Sequence, residues 1–442
     1  MRLVLLAALL IVASPLYAQT VVLRAAGLVD VHSGEAVPDA VVVVEAGRIV
    51  AAGGSAAVHV PPDVHFIDLP DQWLLPGLMN MHVHLDLLLP GTMAATHANE
   101  SEAELVLRMA DNAHRSLLSG VTTVRQPAMF PSLAARGGRF TDRAAMADRR
   151  RDAHPPDVAL ARAIDRGVLP GPRLITAGEM VNITGGHGAA VVPLHDGPYE
   201  MRKATRYQIR AGATWIKLAI SGGIATPVGG IGQPLMTRDE IEAVVDIAGR
   251  HGVRVTAHVG SAEAARVAVE AGVNGLEHGY FLDRGILRLM RERGTWFVPT
   301  IVVSQPATFD FFERIGSPEW YMERVREVGR DHWRALEMAI EEGVNIALGS
   351  DQHPFEPNDG TTATIREAEY YVEAGMAPLQ ALRAATIDAA RMLGMDDSLG
   401  ALSPGFEADI VAVEGNPMDD ISALRTLGFV MKGGKVYRND WE

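Results

Sequence analysis

The sequence predicts an α/β protein whose centre closes into a (β/α)8 barrel and whose two ends are rich in strands. Three observations carry this expectation. Over residues 76–395, apolar strand-like runs alternate with amphipathic helical stretches, the pattern of βα units around a parallel sheet. The stretches on either side read as short strands punctuated by Gly and Pro. The 442 residues are 48% hydrophobic and 21% charged, enough for a large packed core and unlike a disordered, collagen-like or coiled-coil chain.

Residues 1–18 read MRLVLLAALLIVASPLYA. Arg2 is a short basic start, Leu3 to Ala13 is apolar but short for a bilayer span, and Pro15 breaks the helix. This is the pattern of a secretory signal peptide cut after Ala18, with an uncleaved anchor as the alternative. Export to the periplasm or the medium follows, with no stable membrane insertion after cleavage.

From Thr20 to about Asp71, VVLRAAGLVDV, AVVVVEAGRIVAAG and VHFIDLP are candidate strands, and no helical period is present. ADIVAVEG (408–415) and GFVMKGGKVYR (428–438) repeat the pattern at the far end. In the centre, Thr237 and Glu240 form a capping box that opens a helix with Ile241, Val244, Val245 and Ala248 on one face. Gly252 stops it. VRVTAHV (253–259) is a strand, and Ser261 starts the next helix. GLEHG, a helix over 284–293, the run TWFVPTIVV (295–303), a long helix over about 319–342 and VNIALGSD (344–351) continue the alternation. Residues 127–160 are the least regular. Their basic run Arg149, Arg150, Arg151 is a solvated face or part of a lid over the barrel mouth.

Acidic residues outnumber basic ones by 54 to 40, a net charge of −14. Such a chain is a poor partner for nucleic acid, where affinity comes from Lys and Arg on phosphates. There is no cysteine. Disulfides, thiolate metal sites and Cys nucleophiles are therefore excluded, and any metal must be held by His, Asp, Glu or Lys.

Met81-His82-Val83-His84-Leu85 places His82 and His84 on one face of an extended segment, because side chains i and i+2 point the same way. Two neutral imidazoles facing together are good ligands for a divalent transition metal. His258, His278 and Asp351 each end an apolar strand, which is where barrel active sites are built. Core packing explains any one of these, but poorly explains all of them. Lys217 lies inside the apolar strand TWIKLAI. A buried ammonium is costly unless paired, so Lys217 has an acidic partner or is neutral. A neutral amine can take up carbon dioxide as a carbamate, a carboxylate-like group able to bridge two cations. The glycine-rich run SGGIATPVGGIG (221–232) lacks the lysine of a phosphate loop and reads as a substrate-contacting loop.

These motifs, with LPGLMNMHVHL (75–85), GVTTVR (120–125), GPRLITAG (171–178), TGGHG (184–188), IKLAISGG (216–223), GSDQH (349–353) and LGALSPGFEADIVAVEGNPMDDISAL (399–424), resemble the amidohydrolase superfamily. The similarity covers almost all of the chain after the leader. It falls in the binuclear group with a carboxylated lysine, among imidazolonepropionase-related and Xaa-Pro dipeptidase-like amidohydrolases. The resemblance implies a distorted (β/α)8 TIM barrel over 76–395 and a small β-sandwich from 19–75 and 396–442. It implies two divalent ions, zinc suiting the donors best, with manganese, cobalt or iron as alternatives. His82 and His84 would hold one ion, His258 and His278 the other, and N-carboxylated Lys217 would bridge. Asp351 would be both a ligand and the proton shuttle. His187 would face substrate and help to polarise the scissile carbonyl.

The implied activity is hydrolysis of an amide bond in a small molecule: a dipeptide, an N-acyl amino acid or an ochratoxin-type amide. A mononuclear hydrolase or deaminase of the same fold, and a non-catalytic metal- or solute-binding protein, are the competing readings. Self-association into a homo-oligomer is compatible with the sequence. Departures from the family pattern are Asn80 and Gln126 where Asp is frequent, and Gly260 where many relatives carry a second His. Gln352, His353 and Glu356 form an unusual rim, in which His353 is a substrate contact or merely a loop histidine.

Overall fold

The computed structural model describes residues 20–129, 154–189 and 192–441. The expected leader at 1–18 and the basic run Arg149–Arg151 lie outside the described residues, as does most of the lid reading built on 127–160.

The barrel repeats one unit eight times. Strands β5 (Leu78–Asn80), β6 (Val121–Gln126), β7 (Arg173–Thr176), β8 (Trp215–Ala219), β9 (Arg254–Ser261), β10 (Gly275–Phe281) and β11 (Trp296–Val298) are each followed by a helix, as is the extended segment 345–348. In order, the helices are α1 (Glu102–Leu118), α2 (Pro156–Asp165), α3 (Gly197–Ala211), α4 (Arg238–Arg250), α5 (Ala262–Ala271), α6 (Arg284–Arg293), α7 (Glu319–Glu342) and α8 (Ala363–Glu373). β5-β6-β7 and β8-β9-β10-β11 are parallel sheets. Val181 N donates to Lys217 O (2.9 Å) between them, and Phe297 N to Asn345 O (2.8 Å) and Met81 N to Leu348 O (2.7 Å) close the ring.

Local sequence explains the joints. Thr237 N donates to the Glu240 carboxylate (2.9 Å) at the start of α4, the reciprocal bond of a capping box. Ser261 Oγ accepts from Ala264 N at the start of α5, and Gly272 ends that helix at φ +96°. Two sequence expectations need correction. TWFVPTIVV is a strand only over Trp296–Val298, because Pro299 lacks the N–H a ladder needs. Thr300 turns left-handed and Ile301–Ser304 forms a 3-10 turn. The irregular stretch 127–160 ends sooner than expected, since α2 begins at Pro156, a residue suited to a first helical turn.

The two ends of the chain form one seven-stranded sheet. Its order is β14 (Lys435–Asn439), β13 (Phe429–Lys432), β12 (Ile410–Glu414), β4 (His65–Pro76), β1 (Val21–Asp30), β2 (Glu35–Glu45) and β3 (Arg48–Gly54). The sheet curls into a sandwich. Ile49 N donates to Phe406 O (2.9 Å) and Ala408 N to Gly47 O (2.8 Å), joining the β2–β3 edge to the segment that leads into β12. Leu23, Val42, Leu69, Ile410 and Phe429 share the enclosed core. β4 runs on directly to β5, so the sandwich holds the first barrel strand in place.

Inside the barrel the side chains are layered. Met79, Met81, Trp215 and Val298 fill the base and pack on Ala389, Ala390 and Met392. Each fully buried aliphatic side chain contributes about 1.5–3 kcal/mol. Above them lies a buried polar layer, Arg125, Thr256 and Glu277, and above that the histidines. Among the described residues no helix is long and apolar enough to cross a membrane.

Candidate active site and metal centre

His82 and His84 follow β5 in a segment held on both sides: Val83 N donates to Arg125 O (3.1 Å), and Val83 bridges to Gln352. Asn80 explains why this segment stays fixed. Its Oδ1 accepts from His82 N and Ser350 N (both 3.2 Å), and its Nδ2 donates to Ser350 Oγ (2.8 Å) and Thr364 Oγ1 (2.9 Å). An Asp there would lose both donated bonds.

Hydrogen bonds fix both imidazoles. His82 Nδ1 donates to Glu277 Oε2 (2.7 Å) and His84 Nδ1 to the Ala128 carbonyl (3.0 Å). Each Nε2 then carries a lone pair. These lone pairs lie 3.3 Å apart, at 3.2 and 3.1 Å from Asp351 Oδ1. One proton satisfies only one of the three contacts, whereas a cation satisfies all of them. Donors around a tetrahedral cation at 2.0–2.1 Å are separated by about 3.3 Å, so the spacing fits a metal. Among the described residues, His82, His84 and Asp351 form a group whose donor atoms lie within 4.8 Å of one another.

Glu277 is fully buried, bonded to His82, to Arg125 Nη2 (2.5 Å) and to the Thr256 hydroxyl. Burial alone would push its carboxyl up, but Arg125, His82 and Lys217 together hold it well below the usual carboxylate range. Arg125 also donates to Met81 O (2.6 Å) and lies 4.7 Å from the Trp215 ring centre. Burial likewise opposes ionisation of Asp351, yet the histidines around it hold its carboxyl well below the usual range.

Glu277 and His278 are sequence neighbours, yet both face inward. Strand alternation forbids this unless the backbone turns, and His278 sits at φ +66°. Thr300 (φ +55°) and Asp351 (φ +53°) share this left-handed conformation. The Thr300 hydroxyl bonds His278 Nδ1 (2.8 Å). His332, absent from the sequence reading, bonds the His278 and Pro299 carbonyls through Nε2 (3.0 and 2.8 Å) and Ser304 Oγ through Nδ1 (2.8 Å).

His258 Nε2 donates to Gly222 O (2.8 Å), leaving its lone pair on Nδ1. Its ring stacks on His187 with centres 4.1 Å apart, and lies 4.7 Å from the His278 ring. Burial holds His258 and His278 well below the ordinary imidazole range and pushes His187 down to about 4. His187 Nδ1 bonds Thr226 Oγ1 (2.7 Å). Lys217, 3% exposed, points into the barrel from β8. Burial lowers its pKa to about 8 against the opposing pull of Glu277 and Asp351.

His82, His84, His187, Lys217, His258, His278 and Asp351 line one cavity of about 300 Å³. Its remaining wall is mainly apolar, with Leu87, Leu89, Ile224, Val303, Phe312 and Tyr321. His353 is not part of it. Its Nε2 lies 3.3 Å from Asn112 Nδ2 and its ring stacks on Phe355, the loop-histidine alternative. Of the rim, Gln352 lines the cavity and donates to Thr308 Oγ1 (2.8 Å), while Glu356 pairs with Arg314 (2.8 Å). Sequence reading missed Glu277, Arg125, Thr226 and Thr300. All four lie within quoted runs, Arg125 in GVTTVR, Thr226 in the glycine-rich run, Glu277 in GLEHG and Thr300 in TWFVPTIVV, but nothing local marks them as partners of the histidines.

The fold agrees with known proteins. An ochratoxinase of Aspergillus niger is 29% identical over 454 residues, covering 93% of this chain and 86% of that protein. A Xaa-Pro dipeptidase solved with methionine in its active site superposes with a TM-score of 0.82 at 29% identity, over 95% of this chain and 100% of that one. The solved A. niger ochratoxinase gives a TM-score of 0.77 at 26% identity, over 96% and 97% of the two chains. The model of the amidohydrolase family matches residues 73–438. The chain belongs to the amidohydrolase family and is a hydrolase acting on amide carbon–nitrogen bonds.

Proposed function

We propose that this protein uses two divalent ions to hydrolyse an amide bond in a small, largely apolar substrate. The observation that carries this reading is the trio His82, His84 and Asp351, with lone pairs converging at 3.1–3.3 Å beside the buried amine of Lys217. His82, His84 and Asp351 would hold one ion, and His258 and His278 the other. Lys217 would bridge as a carbamate. With a pKa near 8, roughly a tenth of this amine is neutral at pH 7, the form that adds carbon dioxide. Imidazole, carboxylate and carbamate donors suit zinc best.

When bound, the ions would supply Lewis acidity at the scissile carbonyl and a water acidified enough to attack at neutral pH. The chain does the rest. Asp351, 23% exposed on the cavity side, takes the proton of the attacking water and delivers it to the departing amine. His187 is neutral through the working pH range. With Thr226 donating to its Nδ1, its Nε2–H is left for the carbonyl oxygen. The apolar wall admits an aliphatic or aromatic group and limits water around the reacting atoms. Relatives named for ochratoxin and for Xaa-Pro dipeptides support amides of the dipeptide, N-acyl amino acid or ochratoxin type. The 1–18 leader supports export to the periplasm or the medium.

The test is a panel of these amides, with neutral arylamides added, incubated with the zinc-loaded protein. Amine release favouring apolar acyl groups is expected, with a loss of at least 10²-fold in Lys217→Ala. A fully loaded protein inert on the whole panel would overturn the reading. A one-metal enzyme is the second reading, because among the described residues only His82, His84 and Asp351 converge without a modified lysine. It requires Lys217→Ala to keep nearly full activity.

A further inference from the structure

We propose that Arg324 is a positioning residue of this site. It pins the glycine-rich loop 221–232, and that loop fixes the orientation of both His187 and His258. The inference rests on the proposed amide-hydrolysing role of these two histidines.

The loop lies between β8 and α4 and touches both rings. Its Gly222 carbonyl accepts from His258 Nε2 (2.8 Å), and its Thr226 hydroxyl bonds His187 Nδ1 (2.7 Å). Between these contacts the backbone crosses the stacked rings at close range. A Cβ added to Gly223 would lie 2.4 Å from His187 Nδ1 and 2.7 Å from His258 Nε2. Only glycine permits that approach. Ile224 and Ala225, next in the chain, form cavity wall. One short segment thus sets two imidazoles and shapes the space that substrate fills.

Little in the loop's own composition would hold it still. Five of its twelve residues are glycine, and glycine loses the most backbone freedom on ordering. Its base is tied by Gly222 N to Gln233 O (3.0 Å) and by Ser221 Oγ, which accepts from Gly260 N (2.7 Å). Gly260 is itself closed to a side chain, since a Cβ there would meet Ile231 O at 2.5 Å. The crest of the loop is held from outside. Arg324, on α7, donates through Nη2 to Gly223 O (3.0 Å), through Nε to Ile224 O (3.2 Å) and through Nη1 to Gly229 O (3.1 Å). The three acceptors lie on both sides of the crest, so a single planar fork ties its two limbs together. A lysine offers one point of attachment and cannot reproduce this.

The test compares Arg324→Gln, Arg324→Lys, Thr226→Val and the Arg324→Gln/Thr226→Val double variant. Loop mobility is read by hydrogen–deuterium exchange of peptides covering 221–236, which needs no substrate. In Arg324→Gln this exchange should rise at least tenfold, with α7 unchanged. The value of kcat should fall roughly tenfold to a hundredfold, the usual loss for a partner that orients a ligand, with a smaller change in KM. Arg324→Lys should be intermediate. The double variant should lose less than the product of the two single losses, because both variants act in part through His187. Unchanged exchange would overturn the proposal, as would a loosened loop with wild-type kcat or strictly additive losses in the double variant. Wild-type protein with no amide turnover would overturn the amidase reading instead, and the exchange result alone would then decide the role of Arg324.

Discussion

The two halves of the candidate metal centre are held by different kinds of structure. His82 and His84 are oriented by barrel strands and strand ends: the Glu277 carboxylate, the Ala128 carbonyl and, beneath them, the Arg125 guanidinium. His258, with its stacking partner His187, and His278 are oriented by loops, through Gly222 O, Thr226 and Thr300. The first half includes a buried ion pair, and losing either Arg125 or Glu277 would leave an uncompensated charge. The second rests on loop contacts, and the loop that carries two of them also forms part of the cavity wall. A fold can thus keep one donor set rigid while substrate preference varies at the other.

Substitutions at the two halves should separate this contrast. Asp351→Asn should reduce kcat on the order of 10²–10⁴-fold, measured by steady-state kinetics on protein of native circular dichroism. A residual rate within tenfold of wild type would remove Asp351 as the proton shuttle. Glu277→Gln should strip Arg125 of its buried counter-ion, costing about 3–5 kcal/mol in urea unfolding. It should also weaken binding of one ion roughly 10–100-fold in chelator competition, leaving the other unaltered. Equal weakening of both ions would erase the distinction between the halves.

His332 braces the loop-held side and tests it through pH. Burial holds its folded pKa near 4, against about 6.5 in the unfolded chain. Between these values the unfolded chain binds a proton that the native state does not. Stability is therefore complete above pH 6.5 and falls as pH drops toward 4, by up to roughly 3 kcal/mol from this residue. Unfolding of His332→Gln at pH 7 and at pH 5 should show a smaller pH dependence than wild type. At the rim, Glu356→Gln removes a pair with the half-exposed Arg314 and a longer contact with His353 (3.5 Å). It should change stability by less than about 1 kcal/mol and leave kcat/KM at the wild-type value.

Much of this was legible in the sequence, for physical reasons. His82, His84, His258, His278, Lys217 and Asp351 stand out because a polar group at or inside an apolar strand needs a reason to be there. The alternation of strands and helices was plain because several helices open on a capping side chain and carry an apolar face, as at Thr237, Ser261 and Asp283. What stayed hidden depends on backbone reversals or distant contacts. Glu277 reads as facing away from His278 until the left-handed turn at His278 is known. The strand expected at TWFVPTIVV stops at Val298 because of Pro299 and the left-handed Thr300 beyond it. Arg324 lies 101 residues from Gly223 in sequence, and nothing local marks it as different from any other helix-surface arginine. His353, beside the acid of GSDQH, reads equally as a substrate contact or a loop histidine, and only the fold shows that it lies against Asn112.

The most direct test of the account is the number of metal ions per chain, measured by elemental mass spectrometry after chelator-free purification, in wild type and Lys217→Ala. The account predicts close to two zinc-like ions in wild type and close to one in the variant. One ion or fewer in wild type after added metal and bicarbonate, or an unchanged count in Lys217→Ala, would contradict the bridging lysine and leave a one-metal hydrolase in its place.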